Sequence, residues 1–174
     1  LLGGTLDTGN QAVVTYITGL DEKAGEYWSS MIKSDDASRT NLWSDLDMSY
    51  IAGTGANAKV HSGNVAQTFY RLKDMAIAWA TEGCVLYQND ELKEELIRAL
   101  DFMNENHYSS SDDKTPFFGN WWHWEIGGPI AFMDTALILY DDLTLKQITN
   151  YAAAVNRFTN VCDKPSGYPG SPAM

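Results

Sequence analysis

Asn120-Trp121-Trp122-His123-Trp124-Glu125-Ile126-Gly127-Gly128-Pro129, preceded by Phe117 and Phe118, puts three of the chain's six tryptophans within four residues. On a helix successive side chains turn by ~100°, so Trp121, Trp122, Trp124 and Ile126 spread over about 200°. A core-facing helix needs an apolar stripe only somewhat over ~100° wide. At least one indole therefore looks toward a cleft or a second surface. Asn120 and Glu125 flank the surplus aromatic area, as expected of a platform that stacks a flat ligand and hydrogen-bonds its edge. Pro129 suits the first turn of a helix better than its middle. Trp121 to Ile126 thus read as an entry turn. The main helix follows from Pro129 to about Tyr140, with Ile130, Met133, Leu137 and Tyr140 inward.

Outward from this stretch, the apolar spacing is helical on both sides. Asn64 is placed to cap a helix whose stripe is Val65, Phe69, Leu72, Met75, Ala76 and Trp79, with Gly83 as its stop. Asp90 opens the next, with Leu92, Leu96, Ala99, Leu100 and Met103 inward and Glu91, Lys93, Glu94, Glu95 and Arg98 in solvent. Thr144 caps the last, where Leu145, Ile148, Tyr151, Ala152 and Val155 recur at helical intervals. Toward the amino terminus, Val14, Ile17, Leu20, Ala24, Tyr27, Trp28 and Met31 step by three and four between Gln11 and Lys33. Gly19 costs ~1 kcal/mol against Ala there, and Asp21 can cap a second helix, so one helix and two both fit.

Ser34 to Ser62 is rich in Asp, Ser, Asn and Gly and reads as a long connection with a short helical turn near Asn41 to Leu46. So much loop in a compact domain is often functional. A polar loop runs from Ser109 to Thr115, and Pro165 to Pro172 reads as an extended loop. No stretch shows the alternation of a strand. The expected class is all-α, with helices paired antiparallel through short links, in a single domain over residues 1–174.

Composition bounds the partners. The 174 residues suffice for one domain with a good core, and 44% hydrophobic with 12% aromatic content is that of a folded protein. A net charge of −11 without a basic stripe argues against nucleic acid. It would also repel an anionic ligand at long range, so a site for one must focus its few Arg and Lys locally. The longest apolar runs fall far short of the ~20 residues that span a bilayer, and Leu1-Leu2-Gly3-Gly4 lacks a signal-peptide pattern. A soluble protein is expected, with no membrane partner. Cys84 and Cys162 form neither a C-x-x-C pair nor a metal cluster, and both the free and the bridged state fit.

The run N-W-W-H-W-E-I-G-G-P resembles the N-W-W-x-x-[EQ]-I-G-x-P signature of the polysaccharide lyases that cleave hyaluronan, chondroitin or xanthan. Tyr70-Arg71-Leu72-Lys73-Asp74-Met75-Ala76, the Leu96 to Asn106 helix followed by a Tyr, and the Gly-Tyr-Pro-Gly-Ser loop are similar in order and spacing to the family's amino-terminal part. The resemblance covers essentially the whole chain. It implies a partial (α/α) toroid of antiparallel helical hairpins, followed in the complete enzyme by β-sheet domains, acting outside the cell on an acidic polysaccharide. It implies β-elimination at a uronic acid without a cofactor. The family's catalytic Asn, His and Tyr follow the N-W-W motif beyond this chain, so no catalytic residue is carried over. Trp121 and Trp122 are carried over as the sugar-stacking surface and Asn120 as their hydrogen-bonding neighbour.

Simpler readings stand beside these. Without the resemblance, a Trp-rich helix start is more often core than platform, and with it Trp124 is the indole assigned to the core. His123, His61 and His107 each lack a partner at catalytic spacing and read as hydrogen-bonded or surface residues. No metal-ligand pattern is present, so no metal is expected. Asp141 and Asp142 read as a solvated helix end rather than, with Asp134, a glycosidase pair. Arg71 and Lys73 are candidates for a polyanion on a face that is ordinarily solvated. The rivals to a lyase are a noncatalytic carbohydrate-binding helical module and a helical interaction protein whose tryptophans are core.

Overall fold

The computed structural model describes Asp7 and residues 9–36, 38–111 and 116–159. The elements are α1 (Gln11–Ser30), α2 (Ala56–Ala80), α3 (Asp90–Asn106), a π-helical turn (His123–Gly127), α4 (Gly128–Ile138), a 3₁₀ turn (Tyr140–Asp142) and α5 (Leu145–Thr159). No strand occurs among the described residues, and the class is all-α as expected. Cys162 and the Pro165 to Pro172 loop lie outside the described residues. Cys84 is a buried free thiol.

α2 is the axis of the domain, touching α1, α3, α4 and the π turn. Its stripe Val65, Phe69, Leu72, Met75, Ala76 and Trp79 is buried as the spacing predicts. The helix begins at Ala56 rather than behind Asn64, with Gly55 as its N-cap. Asn64 instead lies mid-helix, and its side-chain amide donates to the Asp47 carbonyl at 2.8 Å. Ala56 to Gly63 is small, polar and ends in glycine, so its helical state was hidden by the absence of an apolar period. Close packing supplies the reason: a Cβ on Gly63 would sit 3.3 Å from the His123 ring.

The connection before α2 is correspondingly shorter, and it holds bends and a turn where a helical turn was expected near Asn41 to Leu46. It is nonetheless well anchored. Leu42, Trp43, Leu46 and Met48 are buried in the core, and the Trp43 indole N–H donates to the Tyr27 carbonyl at 3.0 Å. Arg71 grips Asp45 through two bonds of 3.0 and 2.6 Å while lying over the Tyr27 and Trp43 rings. α1 runs unbroken through Gly19, and Asp21, rather than capping, accepts the Val85 N–H at 2.9 Å.

Two inward faces differ from the expectation. Glu95 is buried, not solvated: its carboxylate accepts Arg39 Nη1 and Ser34 Oγ, each at 2.6 Å. A carboxylate at that depth is tolerable only because both oxygens are bonded. On α4 the inward residues are Gly128, Pro129, Ala131, Phe132, Thr135 and Ala136, whereas Ile130, Leu137 and Tyr140 are exposed and Met133 is half-buried. α4 is apolar nearly all round, so periodicity cannot orient it; small side chains that let two backbones approach decide instead. Phe132 stacks on Phe69 of α2 at 4.9 Å, which the slender Gly128–Ala131–Thr135 line permits. The exposed side borders an open depression of about 500 Å³ beside Val155 and Thr159.

α5 starts with a reciprocal capping box, Gln147 accepting the Thr144 N–H at 2.9 Å and the Thr144 hydroxyl accepting the Gln147 N–H at 3.3 Å. It buries Tyr151, Ala154 and Phe158.

Candidate functional site

The tryptophan stretch enters the fold as one continuous helical segment whose first part is widened. Gly128 N–H bonds to the His123 carbonyl, five residues back, the spacing of a π turn. Pro129 explains why. In an α-helix its ring would clash with the carbonyl four residues earlier, that of Glu125, and the extra residue in the turn removes the clash. The same proline creates an orphan. The Trp124 carbonyl would pair five residues on with position 129, which has no N–H. Tyr108, fully buried, donates its hydroxyl to that carbonyl at 2.7 Å.

Around the turn the tryptophans sort as the helical wheel orders them. Trp124 is 1% exposed, Trp121 half-buried, Trp122 40% exposed and Ile126 38% exposed. Trp124 stacks on Tyr108 and Phe158 at 6.2 and 5.1 Å, and its indole N–H donates to the Phe118 carbonyl at 2.7 Å. It is core, as expected. Trp122 meets the His123 ring edge-on at 6.0 Å and leaves much of its surface to solvent. A cavity of about 130 Å³ lies elsewhere, behind Trp124 and beside Met48, Tyr50 and Phe118; Trp122 takes no part in it.

The approach to the turn is fixed from α2. Gly119 has φ +71°, and a Cβ there would lie 2.3 Å from both the Ala58 carbonyl and Ser62 Oγ, so only glycine fits. Buried Ser62 accepts the Asn120 N–H at 3.1 Å and lies 3.0 Å from His123 Nδ1 and 3.1 Å from the Lys59 carbonyl. The single Ser62 proton goes to one of the last two; if to Lys59, His123 carries its proton on Nδ1 and donates to Ser62. Burial lowers the His123 pKa below its ordinary 6.5, which favours the neutral ring this clasp uses. His123 is therefore a hydrogen-bonded structural residue.

Asn120 Oδ1 caps the segment, accepting the Trp122 N–H at 3.2 Å. Its Nδ2 has no protein partner among the described residues and remains a free donor next to Trp121 and Trp122. Of the other candidates, Arg71 is committed to Asp45, and Lys73 lies 3.6 Å from Asp134. Asp142 pairs with Lys93 at 3.1 Å in the exposed 3₁₀ turn. Of the residues that hold the turn, Ser62 lay in a polar run and carried no signal in sequence, and Tyr108 stood only as the Tyr that follows a helix in the family resemblance, with no role assigned.

An all-α domain that braces an N-W-W turn on a central helix is the class this geometry defines. The chain belongs to polysaccharide lyase family 8, whose N terminal alpha-helical domain matches residues 1–165. It is 34% identical over 157 residues to a xanthan lyase of Bacillus sp. strain GL1, covering 90% of this chain and 15% of that enzyme. It is 30% identical over 173 residues to a hyaluronate lyase of Enterococcus faecalis, covering 96% and 16%. The fold superposes on Paenibacillus xanthan lyase with a TM-score of 0.75 at 34% identity, over 90% of this chain and 14% of that one. It superposes on Streptomyces coelicolor chondroitin AC lyase, solved in complex with chondroitin sulphate, with a TM-score of 0.70 at 26% identity, over 90% and 19%. The chain thus spans less than a fifth of each of these proteins.

Proposed function

We propose that this chain is the substrate-binding part of a secreted polysaccharide lyase, forming the amino-terminal part of a larger (α/α) toroid. Its polymer contains uronic acid, as in hyaluronan, chondroitin or xanthan. The observation that carries the reading is Trp122, 40% exposed on a turn that Ser62, Gly119, Asn120 and Tyr108 hold in place, where a buried position was structurally available two residues away. A sugar's C–H face stacks on the indole. Trp121 extends the surface, and Asn120 Nδ2 donates to a sugar oxygen. Stacking aligns the polymer, so that binding energy away from the scissile bond acts on the transition state.

The chemistry is β-elimination. Neutralising the uronate carboxylate acidifies the C5 proton, a base removes it, the C4–O bond breaks as the C4=C5 double bond forms, and an acid protonates the leaving oxygen. The Asn, His and Tyr for these steps belong to parts of the enzyme outside these residues. The test uses the intact protein on hyaluronan, chondroitin and xanthan, following the near-ultraviolet absorbance of the unsaturated uronate. One polymer should give the signal, and Trp122→Ala should weaken its binding by roughly tenfold or more. Absence of product with all three polymers sinks the lyase reading; sugar binding without product identifies a noncatalytic carbohydrate-binding module.

A further inference from the structure

The six-membered-ring edge of Trp122 has a polar neighbour contributed by α2. A Cβ built on Gly127 would lie 2.3 and 2.7 Å from two carbons of the Trp122 six-membered ring and 2.5 Å from the Tyr70 hydroxyl. The phenol oxygen and the indole edge therefore converge on one point, kept open by a glycine. Tyr70 itself is half-buried, its ring packed against the core. Its hydroxyl makes no hydrogen bond among the described residues, nor is it among the buried polar atoms that lack a partner, so it keeps access to solvent. Lys73 lies 5.8 Å from the ring centre and is drawn toward Asp134.

We infer that Tyr70 is a further sugar-binding residue, its hydroxyl hydrogen-bonding an oxygen at the rim of the sugar stacked on Trp122. A stacked ring presents its hydroxyls and carboxylate outward around its edge, so a group that recognises them must stand at the border of the indole, as Tyr70 does. Burial raises the phenol's pKa, so it is a protonated donor at any ordinary pH. The α2 helix supplies a rigid mount: Tyr70 is one residue from Phe69, which is locked against Phe132 and Tyr108. The glycine at 127 has the complementary task of letting indole and phenol stand together.

This inference rests on the aromatic platform proposed above, and the two can fail separately. The measurement is tryptophan-fluorescence titration of the intact protein with oligosaccharides of hyaluronan, chondroitin and xanthan, alongside thermal unfolding. Tyr70→Phe keeps the packed ring and removes only the hydroxyl. It should raise Kd roughly three- to tenfold, the range of one neutral hydrogen bond, with an unchanged Tm. In a Trp122→Ala background the same change should have a smaller effect, because the sugar is no longer held at that edge. If Trp122→Ala weakens binding while Tyr70→Phe binds like the unaltered protein, the inference about Tyr70 is wrong and the platform stands. If Tyr70→Phe lowers Tm in step with the affinity, the hydroxyl is structural and the inference is equally overturned. If the unaltered protein binds none of the oligosaccharides, the platform fails and takes the Tyr70 assignment with it.

Discussion

Trp122 and Trp124 are the same residue type, two positions apart in one helical turn, and they have opposite fates. Trp124 is closed in by Phe118 just upstream and by Tyr108 and Phe158 from elsewhere in the chain. Trp122 meets the edge of its neighbour His123 and lays its six-membered ring over Gly127, beside the Tyr70 hydroxyl. Local sequence makes both indoles part of an arc too wide to bury. Which one is buried depends on where partners converge. An aromatic cluster therefore becomes a surface feature when the fold spends its other aromatic residues on one side of it.

The strongest way to break this contrast is at the inward indole. Trp124→Ala should cost about 3–5 kcal/mol of unfolding free energy, measured by urea denaturation, because it removes a filled core position and strands the Phe118 carbonyl. A loss below ~1 kcal/mol would mean that Trp124 does not carry the core. Tyr108→Phe comes next, at about 1–3 kcal/mol, since it leaves the Trp124 carbonyl with neither a helical nor a side-chain donor. Restoring an N–H with Pro129→Ala in the same protein should recover part of that loss, as the π turn would no longer be required.

A smaller effect is expected from acid. The folded-state pKa of His123 lies below 6.5, lowered by burial, and that of His107 is lowered for the same reason. On acidification the unfolded chain takes up these protons first. The stability tied to the neutral rings is complete above about pH 6.5 and is lost as pH falls through that value toward the folded pKa. Urea midpoints should fall between pH 7.5 and 5.5, and His123→Gln should flatten the fall; an equal slope in the variant would show that His123 does not contribute. The smallest stability effect belongs to Trp122→Ala, within about 0.5 kcal/mol as for an exposed site, although it should reduce sugar affinity. A core-sized loss there would place Trp122 with Trp124 and erase the contrast.

The fold was legible where one face is apolar and the other charged. α3 is the clear case, since its inward residues Leu92, Leu96, Ala99, Leu100 and Met103 are all buried. It was illegible in α4, which is apolar on every side, and in the first two turns of α2, which have no apolar stripe. Glu95 shows a third kind of miss. An acidic residue in a charged run reads as solvated, and its burial is made tolerable chiefly by hydrogen bonds from Arg39 and Ser34, some sixty residues away in sequence, with Arg98 of the same run 3.6 Å off.

For the site, the wheel argument required an indole to turn outward and the resemblance selected Trp121 and Trp122. Ser62 carried no signal, and Tyr70 and Tyr108 stood only among the residues of the family resemblance without a role; all three reach the turn through the packing of α2 and the segment after α3. By itself, then, the sequence determined that the chain is helical, that it carries the family's N-W-W run, and that its aromatic arc exceeds one buried face. The tertiary structure alone decided that Trp121 is half-buried while Trp122 is exposed, why the entry turn widens, and what holds it. The physical reason is that helix periodicity is set within a few residues of chain, whereas burial and hydrogen-bond satisfaction depend on groups that arrive from elsewhere.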